Sequence, residues 1–310
     1  MHYSQQIILK RWLPILLLSM LFLFIDGAAA QDNPQVEEKA HRESAIDLTS
    51  EHKLIIFPQG DIYYPPYLAD PHRVGFALQW LHMSHAGITE SGSSRYNLKA
   101  GGRLGLMRLL QPDQTDRGWQ LSLEVGYDAQ FDADHAYDNI GWDGNYGLVL
   151  TGAQNRHMAL KFGLLHTSSH IGDEYAETTG RKRINYTRQE LLAGISLAID
   201  AKWRTYAEGG WGFDLRNEEL QEPGRVQIGL EFESAPSLWK GHIGWYTALD
   251  LSATEEKDWR VDTSFHLGLL MDQGVHKWRF GIEYYKGRPN MGEFFQDDES
   301  YISLGLWLDM

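Results

Sequence analysis

From Arg73 to the C-terminus, apolar and polar residues alternate with a period of two. In "WQLSLEVGYDAQFD", Trp119, Leu121, Leu123, Val125, Tyr127, Ala129 and Phe131 fall on one face, while Gln120, Ser122, Glu124, Gly126, Asp128 and Gln130 fall on the other. "WRVDTSFHLGLLMD" and "YISLGLWLDM" repeat the rhythm, the latter setting Ile302, Leu304, Leu306, Leu308 and Met310 against Tyr301, Ser303, Gly305 and Asp309. Successive side chains point to opposite faces of a β-strand, so this pattern predicts half-buried strands. About twelve segments carry it: 73–84, 95–110, 117–131, 138–152, 156–168, 184–200, 202–214, 223–233, 238–250, 257–271, 275–285 and 300–310. Most exceed the usual strand of about 5–6 residues. They match the roughly 9–11 residues that cross a bilayer at a tilt, plus overhang.

The content of the two faces separates a membrane barrel from a soluble sandwich. Trp119, Phe131, Trp203, Trp211, Phe213, Trp239, Trp259 and Trp278 cluster near strand ends on the apolar face, where interfacial girdles sit. The polar face carries glycine beside charges of both signs, among them Arg103, Lys161, Arg204, Glu208, Glu231, Arg279 and Glu283, as suits a narrow lumen filled with ion pairs. The connections alternate short and long, with the short ones expected on the periplasmic side. The predicted fold is all-β, a transmembrane antiparallel β-barrel of about twelve strands over 73–310, preceded by a short N-terminal periplasmic segment.

Lys10 and Arg11, the apolar run Trp12–Ile25 and Ala28-Ala29-Ala30 follow the order of a secretory signal peptide, with cleavage expected near Ala30. Residues 31–52 are polar and charged and predict a flexible segment. Residues 53–72 contain Pro58, Pro65, Pro66 and Pro71 and predict an irregular lead-in or plug, since proline is excluded from central strands. The sequence has no cysteine, so neither a disulfide framework nor a lipid-anchored N-terminus is available. The formal net charge is −14, and loss of residues 1–30 would make it one unit more negative. So acidic a chain repels phosphate backbones, and no nucleic-acid partner is expected. Mean hydropathy is −0.41, which alone would suggest a soluble secreted protein, but a barrel turns the polar face of every strand into its own lumen.

The candidate chemistry lies in "LKFGLLHTSSHIGDEY" (160–175). With Phe162 and Leu164 facing lipid, the period of two puts His166 and Ser168 on the same outward side at the end of the strand. In the next strand Asn185, Thr187 and Gln189 face outward at the same height. A serine becomes a nucleophile when a histidine takes its proton, and the histidine needs a third group to set its tautomer. The candidates are therefore Ser168 as nucleophile, His166 as base and Asn185 as orienting group, with Asp173, Glu174 or Glu177 as alternative orienting acids. A second His-x-Ser, His82 and Ser84, occupies the end of the first strand, but Asn97 on the strand beginning at 95 points inward. The spacing of His166, His170, Asp173 and Glu174 fits no standard zinc pattern; carboxylate oxygens of Asp173, Glu174 and Glu177 would suit calcium, the one cofactor the sequence suggests.

The His-x-Ser with an amide on the next strand resembles outer-membrane phospholipase A, a twelve-stranded barrel; lipid A deacylase similarly carries His-x-Ser with a glutamate. This resemblance implies a serine-type ester hydrolase acting on phospholipid or lipid A already in the outer leaflet, with calcium as a possible electrophile. It covers His166, Ser168 and Asn185. The phospholipase pattern continues Asn-Gly-Arg after the serine, where this chain has Ser169-His170-Ile171. The whole chain also resembles an uncharacterised bacterial outer-membrane barrel family with a stretch like "HTSSHIGDEY", which implies the barrel and no particular activity. Expected partners are outer-membrane lipids, lipopolysaccharide and, through the C-terminal strand, the outer-membrane assembly machinery. The rival expectation is a non-enzymatic structural barrel or narrow solute channel with outer-loop binding.

Overall fold

The structure is a computed structural model, and it describes residues 45–49, 52–60, 63–111, 114–216, 220–272 and 276–309. The expected signal peptide and Met310 lie outside the described residues. Strands β1 (Ala45–Thr49) and β2 (His52–Ile56) precede β3 (Phe76–His85), β4 (Ser94–Gln111), β5 (Gln114–Asp132), β6 (Asp138–Asn155) and β7 (Met158–Ile171). After a short helix, α1 (Asp173–Thr179), come β8 (Thr187–Ala198), β9 (Trp203–Arg216), β10 (Gly224–Glu233), β11 (Gly244–Thr254), β12 (Val261–Asp272), β13 (Lys277–Gly287) and β14 (Glu299–Asp309).

Strands β3 to β14 pair antiparallel with their neighbours, and β14 returns to β3, closing a barrel of twelve strands. Closure gives each of the twelve barrel strands a partner on both sides, as a spanning sheet requires in hydrocarbon. The alternation read from the sequence sorts faces as expected. Leu104, Val125, Leu148, Phe162, Leu191, Ile228, Phe265, Ile282 and Leu304 are exposed around the outside, while Gln120, Lys161, Glu208, Asp250, Arg279 and Glu283 are buried within. The interior charges are paired: Arg225 reaches Glu190 at 2.6 Å and Glu208 at 2.8 Å, Arg103 reaches Glu124 at 2.7 Å, and Lys161 meets Glu208.

Three strand starts differ from expectation for one reason. Asn185 (φ 53°), Trp239 and Lys240 (φ 47° and 59°), and Asp258 and Trp259 (φ 54° and 58°) take left-handed backbone, which interrupts extended pairing. β8, β11 and β12 therefore begin later than the hydrophobic rhythm does. β2 was not expected. Its Lys53–Ile56 pair with Met107–Leu110 of β4, below the stretch Ser94–Lys99 where β3 pairs, so β2 fills the seam that short β3 leaves open. Gly105 lets the chain pass here, since a Cβ there would lie 2.5 Å from the Pro58 carbonyl.

Residues 63–73 thread the interior. Proline has no N–H to leave unpaired, and its extended neighbours present carbonyls to barrel arginines. Arg103 donates to the Tyr64 carbonyl (3.1 Å), Arg204 to those of Pro65 and Pro66 (2.8 and 2.7 Å), and Arg279 to that of Leu68 (2.9 Å). The Leu68 N–H donates to Glu231 (2.6 Å), and Tyr67 stacks on Tyr206 with centroids 3.6 Å apart. At the opposite end, which carries the longer connections, Met291 and Phe294 of the β13–β14 connection pack with Ile88, Ile140, Ile171 and Tyr175. Glu293 accepts the N–H groups of Ile184 and Tyr186 (2.9 and 3.1 Å), tying that connection to the one before β8. A polar cavity of about 170 Å³ separates the interior segment from these packed loops, bordered by Arg73, Asp128, Arg225, Glu256 and Asn290.

Candidate active site

His166 and Ser168 lie on β7 between β6 and β8, near the long-loop end. His166 pairs with Tyr146 and Gln189, and Ser168 with Gly144 and Thr187. Both side chains continue the exposed face of Phe162 and Leu164 and are themselves half-buried, whereas the next residue, Ser169, is buried on the lumen side. The period of two thus carries His166 and Ser168 to the outside of the barrel.

Two contacts hold the His166 ring. It stacks on Tyr146 with centroids 4.5 Å apart and 29° between planes, and its Nδ1 lies 2.7 Å from Gln189 Nε2. The glutamine amide can meet Nδ1 with either end. With Nε2 donating, the ring keeps its proton on Nε2; turned over, with Oε1 accepting from Nδ1–H, the amide leaves His166 Nε2 bare as a base. Ser168 Oγ forms no side-chain hydrogen bond among the described residues. Beside it Gly144 leaves an open floor, since a Cβ there would stand 3.5 Å from Ser168 Oγ and fill that space. Tyr127, Trp142 and His170 continue the aromatic surface toward the strand end, with Trp142 and His170 centroids 4.2 Å apart.

The expected orienting residue, Asn185, is not the amide that meets the His166 ring. Asn185 is exposed, stands two residues before β8 and takes left-handed backbone; Gln189, inside β8 and in register with His166, is the amide at the imidazole. Parity already placed Gln189 outward at this height, but only the β7–β8 register distinguishes it from Asn185. The alternative acids do not reach His166 either. Asp173, Glu174 and Glu177 are exposed on α1, and Asp173 pairs with Arg183. Among the described residues no three His, Asp or Glu side chains gather as metal ligands. The second pair, His82 and Ser84, also faces outward, but the cross-strand partners of His82 are Ile302 and Ser94, and the Ser94 hydroxyl accepts the Trp80 indole N–H (2.8 Å). No amide or carboxylate stands across from it. Among the described residues, of the two His-x-Ser sequences it is 166/168 whose imidazole is met by a cross-strand amide.

Known structures share this architecture. Outer membrane phospholipase A from Escherichia coli aligns with a TM-score of 0.51 and 9% identity, covering 80% of this chain and 94% of that one. The Salmonella typhi outer membrane phospholipase, solved as a dimer with bound calcium, gives 0.50 and 9%, with 80% and 91% covered. LpxR from Salmonella typhimurium gives 0.36 and 12%, with 76% and 99% covered. For the two phospholipases, at such identities, the likeness is one of fold. No curated protein matches the sequence. Residues 25–309 match the family described as "Protein of unknown function (DUF1207)", and the chain belongs to that family.

Proposed function

We propose that this protein is an outer-membrane lipid ester hydrolase, with Ser168 as nucleophile, His166 as general base and Gln189 as the group that orients the imidazole. The observation that carries this reading is the 2.7 Å contact between Gln189 and His166 on the outward wall, with Ser168 on the same side of the same strand. A polar cluster at the edge of hydrocarbon is costly without a use. Here it would meet acyl esters at the depth where lipid tails join their headgroups.

In the reaction, Ser168 Oγ attacks the ester carbonyl carbon as its proton passes to His166 Nε2. The tetrahedral species collapses, the C–O bond to the alcohol breaks, and His166 returns the proton to the departing alkoxide. Water, deprotonated by His166, then hydrolyses the acyl-Ser168 ester. Gln189 Oε1, accepting from Nδ1–H, holds the tautomer this sequence needs. The long-loop end would face the cell exterior, bringing phospholipid and the acyl esters of lipopolysaccharide within reach, while β14 would carry the recognition strand for the assembly machinery.

The test is deacylation by purified barrel in detergent, with phospholipid and lipid A as separate substrates, each with and without calcium. Ser168→Ala and His166→Ala should each lower the rate on the order of 10⁴-fold or more while the folded, unheated gel mobility persists. A folded wild-type barrel inert on both lipids would leave the non-enzymatic reading, a structural barrel with binding loops.

A further inference from the structure

The strand register extends the candidate site sideways. Gly144, Ser168, Thr187 and Arg216 are successive cross-strand partners on β6, β7, β8 and β9, so they form one row at one height. Below it runs a second row of Tyr146, His166, Gln189 and Asp214. With adjacent strands about 4.8 Å apart, the Arg216 Cα stands roughly 10 Å from that of Ser168.

Three observations distinguish Arg216. It is exposed, and its partner Thr187 belongs to the outward set of β8, so the guanidinium lies on the same wall as Ser168. It follows the exposed Trp211 and Phe213 along β9, just past the aromatic band where hydrocarbon gives way to headgroups. Arg181 pairs with Asp297, Arg183 with Asp173 and Arg188 with Glu190, whereas Arg216 forms no ion pair among the described residues. Its backbone is nevertheless held, because the Gln221 amide donates to the carbonyls of both Thr187 and Arg216 and clamps the ends of β8 and β9 together.

From this juxtaposition of the Arg216 guanidinium and the Ser168 hydroxyl in one outward row, we infer that Arg216 binds the phosphate of the lipid whose ester lies at Ser168, an inference that rests on the hydrolase reading for what occupies Ser168. A planar guanidinium forms paired, charge-assisted hydrogen bonds to phosphate oxygens. Phosphate and acyl ester sit on adjacent carbons of a glycerophospholipid, and the extended arginine side chain shortens the remaining gap to that scale. The site therefore takes a phosphate-bearing acyl ester rather than a neutral one. Lipid A phosphate offers the same chemistry.

Binding can be read without turnover. In a Ser168→Ala background, retention of phosphatidylglycerol, lipid A and a diacylglycerol of matched chains is measured by native mass spectrometry from detergent. Retention of a phosphate-bearing lipid should exceed that of diacylglycerol, and adding Arg216→Ala should lower it about tenfold or more without changing diacylglycerol, while Arg216→Lys keeps part of it. Loss for phosphatidylglycerol alone identifies a phospholipid, and loss for lipid A alone identifies lipid A. Unchanged retention in Arg216→Ala, or an equal fall for diacylglycerol, overturns the inference. Turnover of the same lipids by the wild-type chain is scored separately, so an inert wild-type barrel sinks the hydrolase reading while the retention series still decides Arg216.

Discussion

Adjacent serines on β7 have opposite environments. Ser169 is buried, donates to Asp143 and accepts the Glu293 N–H (2.8 Å), so it fastens the β13–β14 connection into the barrel mouth. Ser168 faces out beside His166. A single residue of strand parity thus separates a structural hydroxyl from a candidate nucleophile. The same scale holds the test of the orienting group. Gln189→Ala should reduce kcat/KM for a lipid ester about tenfold, the worth of one hydrogen bond that selects a tautomer. Gln189→Glu should retain activity, since a carboxylate can only accept from Nδ1–H, and Asn185→Ala should leave it unchanged. Kinetics on the three variants check this; a loss confined to Asn185→Ala would remove Gln189 from the site.

At the scale of strands, what the sequence reveals and what it hides divide along a physical line. Alternation is local, so Phe162, Leu164, His166 and Ser168 could be assigned to one face from β7 alone. Register is not local. The β8–β9 ladder shifts between Gln189 and Glu190, and left-handed Asn185 delays the start of β8, neither of which hydrophobic rhythm records. That is why Asn185 looked equivalent to Gln189 before the strands were paired. The lumen partners were similarly hidden: Lys161 on β7 and Arg225 on β10 both meet Glu208 on β9, and Tyr67 of the interior segment donates to it at 3.1 Å. Removing one member of a buried pair strands the other. Glu208→Ala should therefore cost about 3–5 kcal/mol, seen as a lower midpoint for unfolding in detergent by heat-modifiable gel mobility. An unchanged midpoint would mean that water in the cavity solvates Lys161 as well as the carboxylate does.

At the scale of the whole molecule, the interior and the wall have separate tasks. Residues 63–73 occupy the lumen from one side, and the connections before β8 and β14 close the other. Much of the polar interior is thereby spent on holding the barrel and its interior segment together. The twelve strands and the outward His-x-Ser were legible because a barrel has only two faces. The interior path of Tyr64–Leu68 was legible only as an irregular proline-rich segment, since its arginine contacts come from strands far along the chain. Covalent labelling tests most directly whether Ser168 is an activated hydroxyl on the outward wall. Folded barrel in detergent is treated with a long-chain sulfonyl fluoride, and the modified residue is located by peptide mass spectrometry. One adduct at Ser168 is expected, lost in His166→Ala and in heat-unfolded protein; a folded wild-type barrel unlabelled at Ser168, or labelled equally after unfolding, would contradict the account.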